Sequence, residues 1–302
     1  MHVLFFIAIG VSCGAIGGLL YFQNKELVVK QHVMPFEFLP KAFDGFTIVQ
    51  LSDLHNDRFG KEQGRLVDMV RAAKPDAVFI TGDLIDEQFC ALEPALELVR
   101  GLHAVAPIYY VSGNHEWASG QYESLRSQLI ELGVHVLENR AETIVRGDRS
   151  MVIAGIDDPA RYGDEIARGT LFDALGRYDS RAAAILRGII HRELGAVRHG
   201  IDERAFKILL VHRPELLHEY VHQHFSIIFS GHAHGGQWNL PVIGPVVAPG
   251  QGLFPKLVSG IHRRHNTFMV ISRGLGNSGI AFQRLFNKPE VVVVVLKQSI
   301  GK

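Results

Sequence analysis

The sequence contains few cysteines and no excess of charge of either sign. Cys13 and Cys90 are the only cysteines among 302 residues, which excludes a disulfide framework of the kind that stabilises small secreted domains. Lysine plus arginine equals aspartate plus glutamate, 31 of each, so the formal net charge is zero. Proteins that bind nucleic acid rely on a basic excess to neutralise phosphate, so nucleic acid is not expected as a partner.

Charge is also missing from the amino terminus. Residues 3–22 carry no charged side chain, and a helix of about 20 residues spans roughly 30 Å, the hydrocarbon core of a bilayer. We predict a single-pass membrane anchor over residues 1–24 and a linker over 25–44; a cleaved or lipidated signal and a buried core helix are the alternatives. Lys25 and Lys30 follow the run and no Lys or Arg precedes it, which favours a catalytic domain on the cytoplasmic face.

The chain does contain five short apolar runs that each end in aspartate, asparagine or histidine: FTIVQLSD, AVFITGD, IYYVSGNH, FKILLVH and FSIIFSGHAH. Segments with helical periodicity separate the first three, which predicts parallel strands joined by helices. The carboxyl ends of such strands form the ligand crevice of an open α/β sheet. We therefore expect these side chains to converge: Asp53, His55, Asp83, Asn114, His115, His212, His232 and His234.

Carboxylate, amide and imidazole groups in this number are costly to crowd together without a cation. Oxygen and nitrogen ligands without a thiolate suit manganese above all, with iron or zinc as alternatives. The set is large enough for two divalent metal ions, which lower the pKa of a water between them and so provide hydroxide near neutral pH. Each of these strand-end motifs alone has a simpler interpretation, because Asp and Gly after a strand often form an ordinary turn. Their joint occurrence at strand ends favours the metal site.

The motifs SDLH, GDLID, GNHE, VH and GHAH together resemble the calcineurin-like metallophosphoesterase superfamily, and the resemblance covers about residues 45–297. A later stretch, from SGHAHGGQWNLP to LFNKPE, is similar to a branch of bacterial, membrane-associated small phosphodiesterases. The resemblance implies an α/β fold, a four-layer αββα sandwich. The predicted transmembrane helix precedes this domain, which we place at residues 45–302. The resemblance also implies a hydrolase that cleaves phosphodiester or pyrophosphate bonds by attack of the bridging hydroxide.

The resemblance implies roles for individual residues as well. Asp53, His55, Asp83 and His234 would hold the first metal ion. Asp83, Asn114, His212 and His232 would hold the second, with Asp83 between the two. His115 would face the scissile phosphate as the catalytic proton donor. Purple acid phosphatases carry a tyrosine three residues after Gly-Asp, where this chain has Asp86, so that subfamily is disfavoured.

Three other segments bear on the substrate. Residues 157–205 form an insert that is either a lid over the substrate or an ordinary layer packed on the sandwich. Arg263 and Arg264 either contact substrate phosphate or belong to a solvated hairpin. The apolar loop 240–257 is either packed inward or marks a lipid-linked substrate. The resemblance to the membrane-associated branch implies UDP-2,3-diacylglucosamine as one candidate for such a lipid-linked pyrophosphate. A membrane-tethered metal-binding scaffold without turnover is the alternative function, and the sequence does not determine an oligomeric state.

Overall fold

The computed structural model describes residue 14 and residues 17–163, 180–199, 201–277 and 284–299. Within this part of the chain, two six-stranded sheets dominate. The first consists of β1 (Val28–Phe36), β2 (Thr47–Leu51), β3 (Ala77–Thr81), β4 (Ile108–Val111), β5 (His135–Val136) and β16 (Glu290–Gln298). The second consists of β6 (Arg140–Arg146), β7 (Arg149–Gly155), β8 (Phe206–Leu210), β9 (Ile227–Ser230), β14 (Gly260–Arg264) and β15 (Thr267–Ile271). Two short hairpins lie between β9 and β14: β10 (Asn239–Leu240) with β11 (Gly244–Pro245), and β12 (Val247–Ala248) with β13 (Gly252–Leu253).

Each sheet has a parallel centre. The first has the strand order β1-β16-β2-β3-β4-β5, in which β2 to β5 are parallel and β16 is antiparallel to β2. The second has the order β14-β15-β9-β8-β7-β6, in which β15, β9, β8 and β7 are parallel. All five apolar runs predicted as strands are therefore strands, and they lie in the centres of the two sheets.

In the described ranges the helices are α1 (residues 17–25), α2 (Gly64–Ala72), α3 (Glu93–His103), α4 (Asn114–Ala118), α5 (Tyr122–Glu131), α6 (Ser180–Arg198) and α7 (Leu217–Tyr220). Single turns of 3-10 helix connect several of them to the strands. Helices α2, α3 and α5 pack on the outer face of the first sheet, and α6 and α7 pack on the outer face of the second. The described residues therefore form the predicted helix–sheet–sheet–helix sandwich.

Three apolar cores hold these layers together, because successive side chains of a buried strand point to opposite faces. In β2, Ile48 faces the core between the two sheets while Val49 faces the helices. In that central core the rings of Phe79 and Phe229, one from each sheet, pack edge to face with centroids 5.1 Å apart. Because both faces of each sheet are covered, the central strands of both sheets must be apolar along their whole length.

The described part of the insert 157–205 contributes α6 to one outer layer of this sandwich. In α6, Leu186, Ile190 and Leu194 are buried against the second sheet, at the three- and four-residue spacing of a helix face. The packing interpretation therefore holds for residues 180–198. The remaining insert residues 164–179 and 200 lie outside the described residues.

The segment after the uncharged run differs from the prediction, whereas the predicted anchor stays a prediction. Most of the run 3–22 lies outside the described residues, and no helix within the described ranges has the length and apolarity to cross a membrane. Residues 25–44 are not a linker, because β1 pairs with β16 along its whole length. The sequence did not indicate this strand because it contains polar residues and a proline. These residues are exposed, as is common in a strand at the edge of a sheet: Lys30, Gln31 and Pro35. Met34 and Phe36 supply its buried face.

Candidate metal centre

The loops that follow the central strands are hydrogen-bonded to one another. After β2 and β3, the backbone N–H of Asp53 donates to Gly82 O and that of His55 donates to Asp83 O, both at 3.0 Å. After β8 and β9, the N–H of Gly231 donates to His212 O at 3.0 Å. The two sheets are joined at the same edge, where the N–H of His232 donates to Asp53 Oδ1 at 2.9 Å. The parallel strands thus place their following residues in one crevice.

Four side chains form the first group of potential ligands. One ligand atom each of Asp53, His55, Asp83 and His234 lies within 4.8 Å of all the others, and all four residues are buried. His55 Nε2 lies 3.1 Å from His234 Nε2, and His234 Nε2 lies 3.5 Å from Asp53 Oδ1. This is the set that the resemblance assigns to the first metal ion.

A second group shares one residue with the first. Asp83, His212 and His232 bring ligand atoms within 4.8 Å of one another. His212 Nε2 lies 3.0 Å from Asp83 Oδ2 and 3.1 Å from His232 Nδ1. Asn114 is buried at the first position of α4, between Gly113 and His115. Asp83 therefore stands between two donor sets.

The ligand atoms of these residues are arranged to bind cations, because hydrogen bonds within the protein leave some of them unsatisfied. Asp53 Oδ2 and His232 Nε2 are buried without a hydrogen-bond partner among the described residues, which native proteins rarely tolerate. Five of the seven predicted ligands also have positive φ angles, between 45° and 64°: Asp53, His55, Asp83, His232 and His234. Each such residue costs on the order of 1–3 kcal/mol and persists where the surroundings impose it, commonly at functional sites. The residues present therefore fit a pair of divalent ions.

Electrostatics agree with this interpretation. Burial raises the pKa of Asp53, and the nearby charge of Asp83 raises it further. Burial lowers the pKa of His232 and of His234 well below the usual range, with added repulsion from cationic neighbours. Burial would lower the pKa of His212 too, but the carboxylates of Asp83 and Asp53 outweigh it and raise that pKa to about 10. A divalent ion among these carboxylates would replace the proton that His212 otherwise retains.

Two glycines allow the ligand loops to approach this closely. A Cβ on Gly113 would lie 2.2 Å from Asp83 Oδ1 and 2.7 Å from the Asp83 backbone N. Gly82 has a φ of +90°, and a Cβ there would lie 2.6 Å from His212 Nδ1. Both glycines precede a predicted ligand, which explains the Gly-Asp and Gly-Asn-His motifs in steric terms.

His115 lies beside the first group rather than in either metal set. Its ring packs edge to face on that of His55, with centroids 4.5 Å apart. Its Nδ1 accepts from the backbone N–H of Glu87 at 3.2 Å, so the neutral ring carries its proton on Nε2. Burial lowers the pKa of His115 to about 4.

Asp86 lies between His115 and the potential ligand His55, a position that the sequence analysis did not identify. Its Oδ2 lies 3.6 Å from His55 Nδ1 and 3.7 Å from His115 Nδ1. Burial would raise the pKa of Asp86, but the interaction with His55 and the N–H of Gln88 outweigh it and lower that pKa. Its position three residues after Asp83 in GDLID was the available signal.

Two further buried residues support the ligand loops. Glu116 accepts hydrogen bonds from the N–H groups of Gly113, Asp83 and Leu84 at 2.6–2.9 Å, and so fixes the β3 and β4 loops to each other. Arg284 donates from Nη2 to Gly276 O at 2.7 Å, and the same nitrogen lies 3.5 Å from His234 Nδ1. Glu116 could have been found as the last residue of GNHE, whereas nothing near Arg284 in the sequence marks its role.

The structure does not bring Arg263 and Arg264 to this crevice. They pair with Phe268 and Thr267 at the turn between β14 and β15, and Phe268 pairs with Ile227, where β9 begins. The metal-ligand loops lie where β9 ends. The two arginines therefore lie on an exposed hairpin at the opposite ends of the strands from the metal-ligand loops.

Comparisons with known proteins agree with this geometry. The family model described as calcineurin-like phosphoesterase matches residues 46–236. The chain is 29% identical over 291 residues to the uncharacterized metallophosphoesterase YkuE of Bacillus subtilis, covering 95% of this chain and 91% of that one. It is 27% identical over 294 residues to a transmembrane protein with metallophosphoesterase domain from Danio rerio, covering 94% of this chain and 60% of that relative.

Among solved structures, the phosphopantetheinyl hydrolase of Mycobacterium tuberculosis is similar with a TM-score of 0.46 and 14% identity, over 76% of this chain and 89% of that one. The predicted family and the predicted class of enzyme are both confirmed by the family match. The chain belongs to the calcineurin-like phosphoesterase family and is a metal-dependent phosphoester hydrolase.

Proposed function

We propose that this protein uses two divalent metal ions to hydrolyse a phosphodiester or pyrophosphate bond of a lipid-linked substrate at a membrane surface. The observation that carries the two-metal part is the position of Asp83, whose carboxylate belongs to both groups of converging donors. When bound, such a pair of ions supplies an activated water and neutralises charge on the phosphoryl oxygens. Manganese is the ion we expect, because the donors are carboxylate, amide and imidazole.

The residues of the chain have separate tasks in this proposal. Asp53, His55 and His234 would hold one ion together with Asp83, and Asn114, His212 and His232 would hold the other. His115 is the proton donor to the leaving oxygen of the substrate, and it acts in its protonated, imidazolium form. Asp86 and the N–H of Glu87 orient the two imidazoles that flank this position.

The proposed membrane anchor and lipid substrate are supported by two apolar segments of the chain. Residues 3–22 are uncharged and long enough to span a bilayer, and we propose that they anchor the enzyme with its catalytic domain on the cytoplasmic face. The loop after His234 carries several exposed apolar side chains, which favours a substrate with acyl chains, such as UDP-2,3-diacylglucosamine.

The experiment is hydrolysis of bis-p-nitrophenyl phosphate by the full-length protein in detergent. Turnover should need Mn²⁺, stop on chelation, and fall at least about a hundredfold in Asn114→Ala. His218→Ala is the matched control, because His218 is exposed and remote from the ligand loops; it should keep full turnover. Elemental analysis of the same samples should give two metal ions per wild-type chain.

The alternative function, a metal-binding scaffold, predicts a different combination of results. It requires two bound metal ions and no hydrolysis of the diester, of a nucleotide-linked pyrophosphate, or of a lipid-linked pyrophosphate in detergent. Complete loss of turnover on adding chelator, with recovery on adding Mn²⁺, would exclude it. The lipid-linked part fails if soluble diesters are hydrolysed much faster than any lipid phosphate.

A further inference from the structure

An exposed apolar surface borders the metal centre. We name it the apolar rim, and it consists of Trp238, Val242, Ile243, Leu253, Phe254 and Phe286. Val242 is fully exposed, and Phe254 is 62% exposed. Large apolar side chains in such a group are unfavourable in water and mark a surface that another apolar phase covers.

Backbone hydrogen bonds connect the rim to the metal-ligand loop. Trp238 follows His234 by four residues, and its carbonyl accepts from Val246 N at 2.9 Å. The carbonyl of Val246 in turn accepts from Phe254 N at 2.9 Å. On the other side, the N–H of Asn239 donates to Leu285 O at 2.9 Å, which places Phe286 beside the same loop. The rim and the catalytic crevice therefore belong to one edge of the sandwich.

The uncharged run 3–22 enters the domain at that same edge. Two residues after Phe22, the Asn24 side chain donates to Arg284 O at 3.3 Å and accepts from Asn277 Nδ2 at 3.0 Å. Arg284 itself lies 3.5 Å from His234. The next residue, Lys25, forms an ion pair with Asp57, two residues beyond His55.

This connection leaves little freedom between the run and the domain. Two helical residues rise roughly 3 Å along the axis, and both Gln23 and Asn24 are buried in the domain. If residues 3–22 occupy a bilayer, the edge that carries the crevice must lie against the bilayer surface.

We propose that the apolar rim inserts into the interfacial layer of the lipid bilayer and holds the metal centre at the headgroup level. This inference rests on the proposed membrane anchor and specifies the substrate class as a phosphate or pyrophosphate in the headgroup region of a lipid whose acyl chains stay in the membrane. The exposed Lys256, two residues from Phe254, suits an interface with anionic headgroups. The rim would contact the acyl chains directly.

The opposite edge supplies a matched control. Phe38 is 81% exposed, but it follows β1, whose carboxyl end lies beside the end of β16 that is remote from the crevice. Phe254 and Phe38 thus have the same side chain and similar exposure at opposite edges of the sandwich.

The experiment uses full-length protein reconstituted into phosphatidylcholine–phosphatidylglycerol vesicles, with some acyl chains brominated. The sequence has two tryptophans, so Trp117→Phe leaves Trp238 as the reporter of contact with brominated chains. We expect strong quenching of Trp238, a reduction of about twofold or more in Phe254→Asp and in Val242→Asp, and no change in Phe38→Asp. Val242→Asp is included because a fully exposed side chain can be replaced without disturbing the fold, so reduced quenching in this variant cannot be attributed to misfolding.

Flotation of the vesicles and hydrolysis of a soluble diester separate the outcomes. If the protein floats with vesicles and Trp238 is quenched only by aqueous iodide, the rim inference is wrong and the anchor stands. If the protein does not float, the anchor and the rim inference both fail. If the wild type hydrolyses neither the soluble diester nor a nucleotide-linked or lipid-linked pyrophosphate, the proposed function fails, and the quenching result is unaffected by that failure.

Discussion

Two groups of histidines in this molecule differ in what surrounds them. His55, His115, His212, His232 and His234 are buried at the strand ends, and pairs of their ring nitrogens lie 3.1 Å apart. His218, His222 and His265 lie at the opposite edge, where neighbouring ring centroids are 5.4 Å and 6.1 Å apart. Only the first group includes carboxylates among its neighbours within ligand distance in the described part of the chain.

The difference shows that convergence and burial, rather than the number of imidazoles, make a metal centre. In the buried group, each ring is held by a loop whose backbone is hydrogen-bonded to the next loop. In the exposed group, water solvates the rings. The following changes test this contrast.

The largest effect is expected from Asp83→Asn. Asp83 belongs to both donor groups, and an amide in its place weakens both metal positions at once. Diester hydrolysis should fall by more than about 10⁴-fold, because charge stabilisation and activated water are lost together. Elemental analysis should show fewer than two metal ions per chain. Retention of both ions with normal turnover would contradict the shared role of Asp83.

His115→Ala should lower kcat by about a thousandfold while both metal ions stay bound. The reason is that His115 lies beside the first donor group and supplies a proton rather than a ligand atom. A substrate with a very acidic leaving group should be affected least, because it needs no proton. If the variant loses metal, His115 is a ligand and the assignment is wrong.

Gly113→Ala should lower turnover by up to about a hundredfold, since a small displacement of Asp83 misaligns both donor sets. The added Cβ would lie 2.2 Å from Asp83 Oδ1. Gly188→Ala is the control, because no atom lies within 4 Å of a Cβ there; it lies in α6 and should stabilise the fold slightly. Equal activity of the two variants would show that the ligand loops adjust freely.

Metal removal should lower the thermal unfolding midpoint of the wild type by roughly 10 °C, since ions that bind the folded state alone stabilise it by mass action. The strained backbone at five ligand positions makes this dependence stronger. Asp83→Asn should show little further change on chelation. If the unfolding midpoint of the wild type is the same with and without chelator, the protein does not bind stabilising metal ions.

The smallest effect is expected at the exposed histidines. His222→Ala combined with His265→Ala should change the free energy of unfolding by less than about 0.5 kcal/mol and leave turnover within twofold. A loss of metal content in this double variant, measured beside the wild type, would show that the second histidine group also binds ions.

The sequence by itself determined the central strands and the eight polar residues that follow them. Their apolar runs are continuous because both faces are covered, and the Gly-Asp and Gly-Asn-His motifs need glycine at close approaches. These signals are local, so reading along the chain was enough to find them. The segment 25–44 escaped detection because an edge strand buries only one face and so carries a weaker apolar pattern.

Only the tertiary structure decided which residues beyond the motifs reach the crevice. Arg284 lies 50 residues from His234 in sequence and contacts it through the fold, whereas Arg263 and Arg264 lie on a hairpin that points to the opposite edge. Strand direction and register fix these outcomes, and neither can be read from composition or spacing. The same applies to the entry of the uncharged run beside the metal centre, which depends on side-chain contacts between the two ends of the chain.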